Sequence, residues 1–175
     1  THALAFGEAG ERRFLAVDYH DSSTVGGVGF YDVTDPTAPQ WVSELATPGY
    51  FYPDAYVRVT FGNFWQGPYV FAAAAFNGVH VVDATDPLDP QLVTTWTFDG
   101  PHLAANVTII GNLGVVTAAG TSRVVLLDVS DPLAPQPIGD FAVQDADGET
   151  RTYYFASIVG RYGLFARKER GGGPI

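Results

Sequence analysis

The chain has 175 residues, a formal net charge of −10 at pH 7 and no cysteine, with 46% hydrophobic, 14% aromatic and 16% charged residues. The acidic balance opposes binding to a nucleic-acid duplex or an anionic membrane surface, and the lack of cysteine excludes disulfides and thiolate metal sites. No apolar run reaches the length of a membrane-spanning helix, and so apolar a composition excludes a disordered chain.

The chain begins at Thr1, which reads as a processed or trimmed start. Strand-like runs then follow one another: HALAFG, FLAVDY, VGFYDVTDP at 28–36, TAPQ and WVSELA. The series recurs as VRVTFG, YVFAAAA, VHVVDATDP at 79–87, LDPQ and LVTTWTF. It recurs again as NVTIIG, GVVTAA, VVLLDVSDP at 124–132, LAPQ and PIGDFAV, and a fourth time only as FASIVG and YGLFAR. The runs are short, rich in Val, Ile, Phe and Tyr, and closed by Gly, Pro or Asp, so each unit is predicted to be four β-strands with no helix. Asp32, Asp83 and Asp128 are equivalent, at spacings of 51 and 45 residues, a period that marks propellers or solenoids. The loops between first and second strands are placed at EAGERR and NFWQGP. The small residues of FAAAAF are expected to let neighbouring units approach closely.

The segments GVHVVDATDPLDPQLV and RVVLLDVSDPLAPQPIG resemble the LVIVD repeat of secreted or surface-anchored bacterial and archaeal proteins. The resemblance covers almost the whole chain. It implies an all-β fold, a β-propeller of four-stranded antiparallel blades, with three complete blades and a partial fourth. The blades would span about 1–47, 54–98, 104–143 and 152–175 of a single partial propeller. In the third unit Gly111 precedes Asp128 by 17 residues, and the same offset from Gly160 falls at 177, past Ile175. The fourth blade is therefore expected to be incomplete. Propellers close with several blades, so an open end invites further blades or another copy of the chain.

The repeat turns comprise Asp32, Asp35 and Pro36, then Asp83, Asp86 and Pro87, then Asp128, Asp131 and Pro132. Asp and Thr side chains bond nearby backbone amides and Pro presets the turn, so these residues read as structural. A calcium loop would need more oxygen ligands and a turn glycine. The connections from fourth to first strands, and from second to third, are expected on one face. They carry Tyr50, Tyr52, Asp54, Tyr56, His102, Asp145, Asp147 and Arg151. Of these, Tyr50, Tyr52, Asp54, Tyr56, His102 and Arg151 form the candidate ligand or partner surface, because tyrosine is rigid and amphipathic. The competing assignment is that the aromatics fill gaps between blades.

His2, His20, His80 and His102 show no pair at ligand spacing, so no metal or cofactor is predicted. No nucleophile elbow, phosphate loop or dinucleotide fingerprint occurs, and no catalytic residue is assigned. Asn106-Val107-Thr108 is an N-x-T sequon, which makes Asn106 a candidate glycosylation site. These features point to a non-enzymatic extracellular or cell-surface protein, a structural subunit or binding scaffold that self-assembles as a filament or surface layer. Its expected partners are other protein chains, copies of itself, or glycans. The alternatives are an enzyme or metal-binding protein using channel-face His and Asp, and a carbohydrate-binding module using Tyr50, Tyr52, Tyr56 and Trp65.

Overall fold

The computed structural model describes residues 3–21, 25–47, 62–100 and 102–167. They form four antiparallel sheets, each running in chain order, with no helix among the described residues. The first sheet holds β1 (Leu4–Ala9), β2 (Arg12–Asp21), β3 (Val25–Asp32) and β4 (Gln40–Ala46). The second holds β5 (Gly62–Gln66), β6 (Tyr69–Ala73), β7 (Val79–Asp83) and β8 (Gln91–Trp96). The third holds β9 (Ala104–Ile110), β10 (Leu113–Ala118), β11 (Arg123–Asp128) and β12 (Gln136–Ala142). The fourth pairs β13 (Tyr153–Val159) with β14 (Tyr162–Arg167). The all-β prediction, with sheets of four, four, four and two strands, agrees with this arrangement.

Each sheet opens with a two-residue hairpin whose first turn residue is glycine: Gly10, Gly67, Gly111 and Gly160, at φ of 61°, 58°, 56° and 59°. A glycine at positive φ followed by a non-glycine is the pattern of a type II′ turn, whose twist suits paired strands. The sequence runs instead end the first strands at Gly7 and Gly62, with EAGERR and NFWQGP as the loops that follow. The structure places both inside strands, Gly7 in β1 and Gly62 in β5, and NFWQ is β5 itself rather than a loop. Their role is close approach. A Cβ on Gly7 would lie 2.1 Å from the Trp65 ring, and one on Gly62 would lie 2.9 Å from the Asn106 Cα. Each four-stranded sheet also shifts register between its third and fourth strands at the same repeat position, Phe30/Tyr31, Val81/Val82 and Leu126/Leu127. Such a bulge increases local twist.

The sheets stack in sequence, and alternate residues face opposite neighbours. Between the first and second sheets lie Ala5, Ala16, Val28 and Phe30 against Val70, Ala72, Val82 and Ala84. Between the second and third lie Phe71, Ala73, Val79, Val81 and Trp96 against Val107, Ile109, Val116, Val125 and Leu127. The second sheet is thus covered on both faces, which is why its strands read as continuous apolar runs. Its alanines are fully buried and contribute to both layers, Ala72 to one and Ala73 to the other. Third and fourth sheets are joined by Thr108 Oγ1 donating to the Ala156 carbonyl (2.9 Å) and Thr117 Oγ1 donating to the Tyr154 carbonyl (2.6 Å).

Phe71 is 1% exposed at the centre of the larger core. Phe71→Ala is expected to cost about 3–5 kcal/mol in denaturant unfolding, whereas Leu88→Ala, on an exposed turn, should cost under about 0.5 kcal/mol. Equal losses from the two would contradict this core.

Candidate functional site

The three repeat turns share one hydrogen-bond scheme. The first aspartate closes the third strand, and its Oδ1 accepts the amide two residues on: Thr34 at 2.8 Å, Thr85 at 2.9 Å and Ser130 at 2.9 Å. The second aspartate does the same for Thr37 (2.9 Å), Leu88 (3.0 Å) and Leu133 (3.0 Å). The residue between ties back to the hairpin, with Val33, Ala84 and Val129 donating to the Arg13, Pro68 and Asn112 carbonyls. These bonds hold the Asp32 carboxyl at a pKa of about 2, with Thr34 as the main cause and the Arg12 guanidinium adding to it. Asp35 and Asp128 are lowered by the same kind of bond from Thr37 and Ser130. Carboxylates turned inward to their own backbone are poor metal ligands. Among the described residues no three His, Asp or Glu side chains converge as a metal-holding group.

The prolines carry a contact that their side chains give no sign of. The Ser43 hydroxyl on β4 donates to the Pro87 carbonyl, and Trp96 Nε1 at the end of β8 donates to the Pro132 carbonyl at 2.9 Å. The outermost strand of one sheet thus grips the Asp-Pro turn of the next.

Among the described residues, the segments that join one sheet to the next lie beside the second-to-third-strand loops at one end. Ala75 and Ala104 exchange backbone hydrogen bonds at 3.0 Å, Ala119 donates to Leu103 at 2.7 Å, and Val143 donates to Ser122 at 3.3 Å. His102 lies here, but not on a surface: it is 4% exposed, its ring packs 4.7 Å from that of Phe98, and neither ring nitrogen has a hydrogen-bond partner. Burial, reinforced by the Arg123 charge, lowers its pKa to about 4. Arg151 is held by Asp145 (Nε, 3.1 Å) and Asp147 (Nη2, 2.8 Å), and the Tyr153 hydroxyl donates to Asp145. Tyr50, Tyr52, Asp54 and Tyr56 lie outside the described residues. Asn106 sits inside β9, with its Oδ1 3.5 Å from Thr108 Oγ1, and Thr108 is 7% exposed beneath the fourth sheet. A glycosyltransferase would have to reach this sequon before the sheets pack. Trp65 is an inter-sheet residue, over Gly7 and edge-on to Phe30 at 5.7 Å, rather than an open sugar platform.

A cleft of about 320 Å³ opens where the outer strands of the second and third sheets splay apart. Trp96, Val125 and Leu127 form its apolar base, Thr94, Thr95 and Thr97 one wall, and Leu133, Pro135 and Pro137 the other. Arg123 stands at its mouth, paired with Asp140 and donating to the Asp99 carbonyl at 3.0 Å. A mixed apolar and hydroxyl lining of this kind suits binding, and within it the Thr95 hydroxyl lies 2.8 Å from Nδ1 of buried His80.

No family model matches the chain, and no curated protein matches it. Two computationally designed proteins of known crystal structure are similar in fold. The Ika8 protein aligns with a TM-score of 0.59 at 14% identity over 95% of this chain. The Ika4 protein aligns with a TM-score of 0.55, also at 14% identity over 95% of this chain. The chain spans 42% of the length of the first and 84% of the second, and the likeness is one of fold alone.

Because His102 has a folded pKa of about 4 against 6.5 for the free side chain, the unfolded chain takes up a proton that the folded chain refuses. Its contribution is therefore present above pH 6.5 and is lost as pH falls from 6.5 to about 4, by roughly 3 kcal/mol in all. Thermal unfolding followed over this range should show the loss in the native chain and a flatter profile in His102→Phe. An unchanged slope in the variant would reject the assignment.

Proposed function

We propose that the chain forms a β-propeller array of the LVIVD-repeat type, three complete blades and a partial fourth, and serves outside the cell as a non-enzymatic structural subunit or binding scaffold. The observation that carries this reading is the recurrence of one joint between successive sheets. The turn glycine, the register shift, the doubly capped Asp-Pro turn and the alternation of faces all repeat in phase. A blade array with a constant joint is what a propeller requires. The non-catalytic part of the reading draws on the pairing of charged groups near the loops: Arg151 with Asp145 and Asp147, and Arg123 with Asp140. Groups neutralised by neighbours hold a shape rather than move protons.

One observation favours the metal-binding alternative, namely the two unbonded ring nitrogens of buried His102. It stands alone, because a copper or zinc site needs several converging ligands.

An antibody against the chain is expected to label intact producing cells or their medium. Labelling that appears only after lysis would overturn the extracellular assignment. Elemental analysis of the purified chain should find transition metal far below one equivalent. A stoichiometric metal that is lost in His102→Phe would replace the scaffold reading with the metal-binding one.

A further inference from the structure

The joint between the second and third sheets departs from the joint before it at the positions that line its cleft. Five residues before the closing aspartate stand Gly27, Gly78 and Arg123. In the first two sheets the outer strand lies over this glycine. A Cβ would sit 2.0 Å from the Leu45 carbonyl oxygen at Gly27 and 1.9 Å from the Trp96 carbonyl oxygen at Gly78. In the third sheet the position carries Arg123, which lines the cleft. Ser43 and Thr94 are also equivalent, each opposite the residue two before the closing aspartate, Phe30 and Val81. Ser43 donates to the Pro87 carbonyl, whereas the Pro132 carbonyl is held by Trp96, two residues beyond Thr94. Thr94 is thereby left to line the cleft. These departures give one joint a cavity of about 320 Å³ with polar groups of its own. Both flanking sheets are in place and share a core, so the cavity does not come from an uncovered end.

We propose that this cleft binds a neutral pyranose sugar, as a ring unit of a glycan. The proposal gives the binding half of the scaffold reading a ligand class and rests on that half. A pyranose has an apolar C–H face and a rim of hydroxyls, each of which both donates and accepts. The cleft offers both kinds of contact. Leu133, Pro135 and Pro137 form an apolar wall for the C–H face, with Thr94 in the wall opposite. At the mouth Arg123 Nε is bonded to Asp140, and Nη1 donates to the Asp99 carbonyl at 3.0 Å. Among the described residues, Nη2 and the second Asp140 oxygen stay open, a donor beside an acceptor. Such a pair suits two neighbouring hydroxyls. Other classes of ligand fit worse. A phosphate or carboxylate would have to draw Arg123 from Asp140 in a chain of net charge −10. A wholly apolar ligand would bury the ion pair and the Thr94 hydroxyl without new partners, which is costly. The volume lies at the low end for ligand pockets, which sets the bound unit at about one or two rings.

Saturation-transfer NMR and calorimetric titration test this, with glucose, galactose, mannose, N-acetylglucosamine and cellobiose as neutral probes. Glucuronate, inorganic phosphate, octanoate and a proline-rich peptide are the comparison probes. At least one neutral saccharide should bind the 175-residue chain with a Kd of about 1 mM or below, and more tightly than every comparison probe. Thr94→Val keeps the side-chain shape and removes the hydroxyl, and Arg123→Ala removes the donor. Both should weaken binding, the second by about tenfold or more. Leu88→Ala alters the equivalent of Leu133 in a turn that does not line the cleft, and should bind as the native chain does. Unchanged circular dichroism and thermal unfolding would show that the variants fold, and Arg123→Gln replaces Arg123→Ala if that variant does not. Native-like binding in both cleft variants would place the sugar elsewhere and overturn the site. So would preference for any comparison probe, the peptide then marking a protein partner. A folded chain that binds no neutral saccharide overturns the cleft assignment. It leaves the structural-subunit half of the scaffold reading standing, which the cell-labelling experiment tests on its own.

Discussion

The aspartate that closes each third strand, with its carboxylate folded back on the amide two residues later, is the interaction on which the rest depends. It makes a flexible Thr/Ser-Asp-Pro segment into a rigid hook. Because the hook is rigid, its proline carbonyl stands at a fixed height above its sheet. The outer strand of the preceding sheet can then find it, through Ser43 in one joint and Trp96 in the next. Each such bond contributes only about 0.5–1.5 kcal/mol net. Its weight lies in register, since it decides which residues of adjacent sheets come face to face.

Burial then supplies the stability. A sheet between two others must be apolar on both faces, and the second sheet meets that demand with valines and alanines that leave room for close approach. Glycines at Gly7 and Gly62 serve the same end, one admitting the Trp65 indole and the other the backbone of β9. Small residues and large ones are therefore complementary across the joints, and substitution of either kind would be felt in both neighbouring sheets. A stack organised this way has no self-sufficient sheet.

Polar groups are gathered at the loop end, and most are already satisfied. Arg151, Asp145, Asp147 and Tyr153 form one network and Arg123 with Asp140 another. His102, enclosed beside Phe98 and kept neutral by burial, lacks a hydrogen-bond partner, and Asn63 and Asn77 also keep unpartnered side-chain atoms. The adjoining cleft between the outer strands has a shape and lining for a ligand, with the Thr95 hydroxyl bonded to buried His80 in one wall.

The number and order of strands, their antiparallel hairpins and the in-phase Asp-Pro turns were legible in the sequence, because they follow from neighbouring residues: alternating β-branched and aromatic runs, turn glycines and Asx-forming aspartates. Which glycine makes the turn was not, since Gly7 and Gly10 look alike until Trp65 from another sheet lies over the first. Nor did the sequence separate a surface histidine from a buried one at 102, or an open tryptophan from a packed one at 65. The docking role of Pro87 and Pro132 resides in backbone carbonyls, which every residue has. By itself, then, the sequence determined the repeating sheet and its capped turns, whose causes are local. Only the tertiary structure decided which faces meet and which polar groups are enclosed, because those depend on how one twisted sheet lies against the next.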